Sequence, residues 1–414
     1  MSKRLSTCLL FAVLSSTTDA QRKLTDEEWS ADLAVLAQSI ENIHPNPFHA
    51  IPRGDFQEAV SELRTAIPKL TDIEIVLGLF RLAALIEDGH TKTSGGTEFL
   101  SGVLPLRLTV FEEGLFIVAA AEKHRRLLGS RIVAFGGSSA EDVLSAAGAI
   151  VSADNPMTRM ARAPQMLVLP DVLHTLGASE QTDSVTLTLE DDEHGRFDSR
   201  IPAVPLDSRI EWVEALDGQE PQASTGQRIG EAYWYEHLAE SKTLYVQFNR
   251  IRNEGEQTIA GFFEDVVAVA ARTKVERLVL DLRHNGGGNG YYNAAVVESL
   301  RRSEHVNQPG RLFTIIGRNT FSAAQLLTVS LERETHTLFV GEPTGGKPNH
   351  YGDAKRVSLP NSGIELAVST RYWEHAGPDD RRAWVEPDIP APPSARAYFA
   401  GLDPALEAVL RYAR

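Results

Sequence analysis

Between Leu24 and about Ile86 the apolar residues recur at helical spacing. "TDEEWSADLAVLAQSIENIH" opens with a Thr25 cap and an acidic first turn, and "TDIEIVLGLFRLAALIEDGH" repeats the pattern from Thr71. The spacing predicts two helices separated by the breaker "HPNPF", the second stopping at Asp88-Gly89 and leaving His90 just past a helix end. From residue 101 the period shortens. "LPLRLTVFEEGLFIVAAA" reads as a hairpin turning at Glu113-Gly114, "RIVAFGG" and "DSVTLTLEDD" as strands, and "AEDVLSAAGAIV" as a helix between them. A polar, loop-rich stretch, "PLDSRIEWVEALDGQEPQASTGQ", follows. From about Ala232 strands and helices alternate: "KTLYVQFNRI", "QTIAGFFEDVVAVAART", "RLVLDLR", "YYNAAVVESLRR", "RLFTIIGR", "SAAQLLTVSLERE" and "HTLFVGE". Such alternation implies a mostly parallel sheet covered by helices, with ligand sites where strands end and helices begin. The expected class is therefore α/β and multidomain, with a helical region at 21–100, a small module at 101–205 and a sheet-bearing domain at 206–414.

Composition changes that picture little. The chain has 414 residues, 42% hydrophobic and 23% charged, an ordinary globular balance. A formal net charge of −15 argues against nucleic acid or an anionic membrane surface as the main partner. The first residues do change it. Lys3 and Arg4 precede an apolar run from Leu5 to Leu14 that is too short to span a bilayer, and Thr18-Asp19-Ala20 suits signal peptidase. Residues 1–20 are thus expected to be a signal peptide and the protein to be exported, periplasmic or extracellular, with no membrane insertion after cleavage. Cys8, the one cysteine, would leave with the signal, so no disulfides are expected.

Three junctions carry unusual residues: "DLRHNGGGN", "GRNTFSAAQ" and "VGEPTGGKPN". In the last, Gly341-x4-Gly346-Lys347 has P-loop spacing, but Pro348 stands where a hydroxyl would hold Mg²⁺, which argues against nucleotide. Ser322 lies between a strand and an apolar helix, where a hydroxyl sits near the positive end of the helix and Ala323 leaves backbone N–H groups approachable. A plain N-cap serine is the competing reading. The glycines 286–288 free the backbone to approach a substrate oxygen, or simply make a flexible turn. Lys347 can serve as a general base if burial neutralises it, or can be an ordinary loop lysine. No HExxH, Cys/His cluster or Ca²⁺ loop is present, so neither a metal nor any other cofactor is expected.

Taken together these segments resemble the C-terminal processing (tail-specific) serine peptidase family. "LVLDLRHNGGG" is similar to its strand and oxyanion segment, "NTFSAAQ" to its nucleophile segment with Gln325 in place of an acid, and "VGEPTGGKPN" to its lysine segment; Ser322 and Lys347 stand 25 residues apart. The resemblance implies a Clp/crotonase-like catalytic domain, a PDZ-like module at 101–205 and a polypeptide substrate. It implies Ser322 as nucleophile, Lys347 as base, and the N–H groups of Ala323 and Gly287 as the oxyanion hole. Where the family has an orienting glutamine, this chain has Tyr351 beside His350.

"LIEDGHTKT" adds a second candidate. It resembles the segment of the tricorn core protease that carries a catalytic histidine, which would make His90 the base; the glutamate of that pattern has no clear counterpart among Asp380 and Glu386. Lys347 is the preferred base and His90 the alternative. The expected activity is that of an exported serine endopeptidase acting through an acyl-enzyme; the alternative is a non-catalytic ligand- or peptide-binding protein on the same fold. Oligomeric state is not legible.

Overall fold

The computed structural model describes residues 23–216 and 228–413; the expected signal peptide, residues 1–20, lies outside the described residues. The chain is mixed α/β. Its centre is a six-stranded sheet in the order Ile389–Pro390, Leu338–Gly341, Leu312–Ile316, Arg277–Asp281, Thr243–Phe248, Tyr233–Leu238, parallel except for the last, antiparallel edge strand. Both faces are covered, as a parallel sheet requires. Leu244, Val246 and Phe248 point into the core formed with helices Ile259–Thr273, Asn293–Arg302 and Ala323–Glu334. Tyr245, between them, points to the opposite core, where Leu406 and Val409 of helix Pro404–Arg411 pack. All seven elements expected from Ala232 onward are present at nearly the expected places.

A second sheet, seven-stranded and antiparallel, contains the expected hairpin Leu106–Phe111/Gly114–Ala121 and the strands Arg131–Phe135 and Ser184–Asp191. It also holds Gly195–Pro202, a strand the polar sequence "GRFDSRIP" did not announce. Between strands Arg131–Phe135 and Ser184–Asp191 lies helix Pro156–Arg162, capped by Asn155.

The N-terminal region departs most from expectation. Helices Asp26–Ile43 and Asp72–Ala84 each begin with a capping box, Thr25 with Glu28 and Thr71 with Glu74, and each cap contributes about 1 kcal/mol. A third helix, Arg53–Ala66, lies between them. The Thr71 helix ends at Ala84 and not at Asp88; Glu87 then adopts a left-handed backbone (φ 53°) that turns the chain. The region is also not self-contained. Strand Lys92–Ser94 pairs antiparallel with Glu365–Val368, and Leu359, Ile364, Leu366 and Val368 complete the core around Trp29, Leu33 and Leu36. Buried Asp32 accepts the N–H groups of Asn361 and Ser362. The chain after strand Leu338–Gly341 thus returns to clamp the segment that carries His90. Among the described residues no helix is long and apolar enough to cross a membrane.

Candidate active site

Ser322 is the N-cap of helix Ala323–Glu334, but its hydroxyl makes no cap hydrogen bond. Its backbone sits at φ 56°, ψ −128°, a region that costs a non-glycine residue about 1–3 kcal/mol. The surrounding turn holds it there. Thr320 Oγ1 donates to the Leu282 carbonyl (2.9 Å), the Phe321 N–H donates to the Asn285 carbonyl (3.1 Å), and the Gly346 N–H donates to the Thr320 carbonyl (3.1 Å). Gly287 lets the glycine turn close on this elbow, because a Cβ there would lie 2.7 Å from Ser322 Cβ. Freed from capping, the hydroxyl faces His90, whose Nε2 lies 2.9 Å from Ser322 Oγ.

His90 is delivered by the turn after the Thr71 helix and fixed on several sides. Its N–H and that of Thr91 donate to the two oxygens of Asp88 (2.9 and 3.1 Å). Its ring stacks on Phe321 at 4.5 Å and parallel to His350 at 5.6 Å. Gly89 is a glycine because a Cβ would meet the Phe321 ring at 2.8 Å. Burial, then the charge of His350, push the imidazole down to about 3 against the opposing pull of Asp88, so the ring is neutral at neutral pH. Asp88 Oδ1 stands 3.9 Å from Nδ1. Burial raises the Asp88 carboxyl, yet His44, the charge of His90 and the Ser369 hydroxyl together outweigh it and hold Asp88 ionised well below the usual range.

Lys347, the preferred base from sequence, is placed differently. Its Nζ makes no hydrogen bond or ion pair with Ser322 or with any other described residue; its backbone N–H approaches Asp154 Oδ2 at 3.4 Å, and its charge is felt by His49 and Asp154. Glu342 is occupied elsewhere, in a two-pronged pair with Arg318 (2.6 and 2.7 Å). Tyr351, where the family resemblance asks for glutamine, packs its ring on His44, His49 and Tyr372. The glycines around Lys347 serve close packing: a Cβ on Gly345 would fall 2.1 Å from the Arg318 carbonyl, and one on Gly346 2.9 Å from Cγ of the buried Gln325.

The expected oxyanion pair is half changed. The Ala323 N–H, first of its helix, has no acceptor among the described residues. The Gly287 N–H instead donates to Asn285 Oδ1 (2.9 Å), whereas the N–H of the next residue, Gly288, has no acceptor among the described residues, and Gly288 lines the cleft with Ser322. That cleft has a volume of about 930 Å³ and runs along Ala323, Leu326 and Ser330, with His350 and Trp373 across from them. One group of three metal-ligand-type side chains converges among the described residues, Asp88, His90 and Asp154, with donor atoms within 4.8 Å of one another. Sequence reasoning missed Asp88 and Asp154. "EDGH" did hold a signal for the first, an acid two residues before a histidine in a turn; nothing local marks the second.

Fold and site therefore define a mixed α/β protein with a serine–histidine pair at the head of a helix, opening on a long cleft. Among solved structures the chain is similar to mature CPAF complexed with lactacystin, at 12% identity and a TM-score of 0.65 over 93% of this chain and 97% of that one. Mature CPAF alone aligns at 13% identity and a TM-score of 0.65, covering 93% and 96%. The photosystem II D1 C-terminal processing protease aligns over 94% and 97% at 17% identity, with a TM-score of 0.43. At these identities the likeness is one of fold. No family model matches the chain, and no curated protein matches it by sequence.

Proposed function

We propose that this protein is a serine endopeptidase in which Ser322 is the nucleophile and His90, not Lys347, is its general base. The observation that carries this reading is the 2.9 Å approach of His90 Nε2 to a strained Ser322 that caps nothing. His90, neutral with its proton on Nδ1, takes the hydroxyl proton through Nε2 as Oγ bonds to the scissile carbonyl carbon. The N–H groups of Ala323 and Gly288 stabilise the oxyanion at the positive end of the helix. The imidazolium then protonates the leaving amine as the C–N bond breaks; in the second half His90 takes a proton from water as its oxygen bonds to the acyl carbon, and returns that proton to Ser322 Oγ as the Oγ–C bond breaks and the acid is released. Asp88, ionised 3.9 Å from Nδ1, favours the imidazolium electrostatically.

On the same reading residues 206–414 form a Clp/crotonase-like catalytic domain and 101–205 a PDZ-like module. Residues 1–20 direct export, so the substrate is a polypeptide met outside the cytoplasm. The test is hydrolysis of an unstructured protein such as casein, with labelling by a fluorophosphonate. Ser322→Ala should lower the rate about 10⁵-fold or more and abolish labelling. Retained activity in that variant would overturn the proposal, and a wild-type protein that neither cuts nor labels would favour the non-catalytic binding role.

A further inference from the structure

Asp154 is a buried carboxylate without a place in the mechanism above. It sits before helix Pro156–Arg162, far from His90 in sequence, yet its Oδ1 accepts the Gly89 N–H at 2.6 Å and its Oδ2 lies 3.4 Å from the Lys347 N–H. Its neighbour Asn155 donates to the Thr344 and Ala383 carbonyls, and Arg162 donates to the Gly89 and Ser152 carbonyls. Donor atoms of Asp154, Asp88 and His90 lie within 4.8 Å of one another, and His90 Nδ1 is buried with no hydrogen-bond partner. Two acids in one buried place repel each other, an arrangement that lowers stability unless it serves a third group.

We propose, on the reading of His90 as base, that Asp154 is a positioning residue: with Asp88 it forms a two-carboxylate seat for His90, so the proton drawn from Ser322 is held on the ring only when the segment around residue 154 is docked. Asp154 fixes the backbone at Gly89, one residue before the imidazole, and adds negative charge on the side where the imidazolium forms. The groups facing that ring are Asp88 and Lys92 from its own segment, Asp154 and Arg162 from the middle segment, and His350 from strand His350–Gly352. Burial, then the charge of Asp88, push the Asp154 carboxyl up, against the charges of His350 and Lys347 and the Gly89 N–H that pull it down.

Asp154→Asn keeps the acceptor for Gly89 and removes the charge. The expected result is kcat lowered about 10- to 100-fold, the equivalent of one or two pKa units at His90, with KM unchanged. As pH falls and the raised Asp154 carboxyl takes up its proton, wild-type kcat should drop towards that of the variant, and the variant should lack this part of the pH dependence. The sign for stability is opposite to that of a structural residue. A carboxyl whose folded pKa is raised disfavours the fold once pH rises past its unfolded value, so the variant should melt at or above the wild-type temperature at pH 7. Wild-type kcat and an unchanged pH dependence in Asp154→Asn would overturn the proposal, as would a variant that melts lower or does not fold. If Ser322→Ala remains active, the serine reading itself fails; if Ser322 is essential but Asp154→Asn is unaffected, only the role of Asp154 falls.

Discussion

Two segments approach the nucleophile elbow from outside it, and they differ in what holds their side chains. The Lys347 loop is anchored through its backbone and its glycines, which press against Arg318 and Gln325, while its ammonium makes no hydrogen bond to Ser322. The Asp88–His90 turn is anchored through a carboxylate, and its side chain is gripped by stacking on Phe321 and His350 with one nitrogen aimed at Ser322. Sequence spacing favoured the lysine; packing favours the histidine. A base is defined by a fixed side chain in the right protonation state, and burial supplies both for His90 by confining the ring and keeping it neutral.

The comparison can be broken at the anchor. Asp88→Asn removes the charge nearest Nδ1 and alters the 3.3 Å contact with His44 Nε2, and kcat should fall about 100-fold or more, measured as the single-turnover rate on a peptide ester. The same variant should lose stability at neutral pH. Asp88 has a depressed folded pKa, so its contribution is present above the unfolded value and disappears as pH falls through the folded one; wild type and variant should therefore converge in acid, as followed by thermal melting across pH.

Gly287→Ala tests the elbow itself. Its Cβ would collide with Ser322 Cβ at 2.7 Å from a backbone at φ 106°, and a displacement of order 1 Å costs about 100-fold in rate. Chemical denaturation should show a loss of about 1–3 kcal/mol. A smaller effect sharpens the protonation state. Because burial pushes His90 down to about 3, kcat/KM should show no histidine limb near pH 6.5; a limb there that persists in Asp154→Asn would mean that the ring is exposed in solution.

The parallel sheet and its three unusual strand-end junctions were legible because its strands are apolar runs and its helices have clear apolar faces. Ser322 stood out for the same reason, at a strand–helix junction. The helix Arg53–Ala66 escaped because Gly54 and its charged residues dilute the pattern and only Phe56 and Val60 are buried. The partner of Ser322 was harder still. His90 meets Ser322 across a sequence separation of 232 residues, and the strand that pairs with its segment, Glu365–Val368, comes from near the other end of the chain. Gly287 was read as a donor when its N–H is held by Asn285, a side-chain bond that no local pattern announces.

The most direct measurement of the central claim is the rate of Ser322 acylation in His90→Ala and Lys347→Ala, compared at neutral pH by burst kinetics on one activated ester and one peptide. With His90 as base, His90→Ala slows acylation about 10³- to 10⁴-fold and Lys347→Ala less than about tenfold. The reverse order, with Lys347→Ala nearly dead and His90→Ala only impaired, would contradict it.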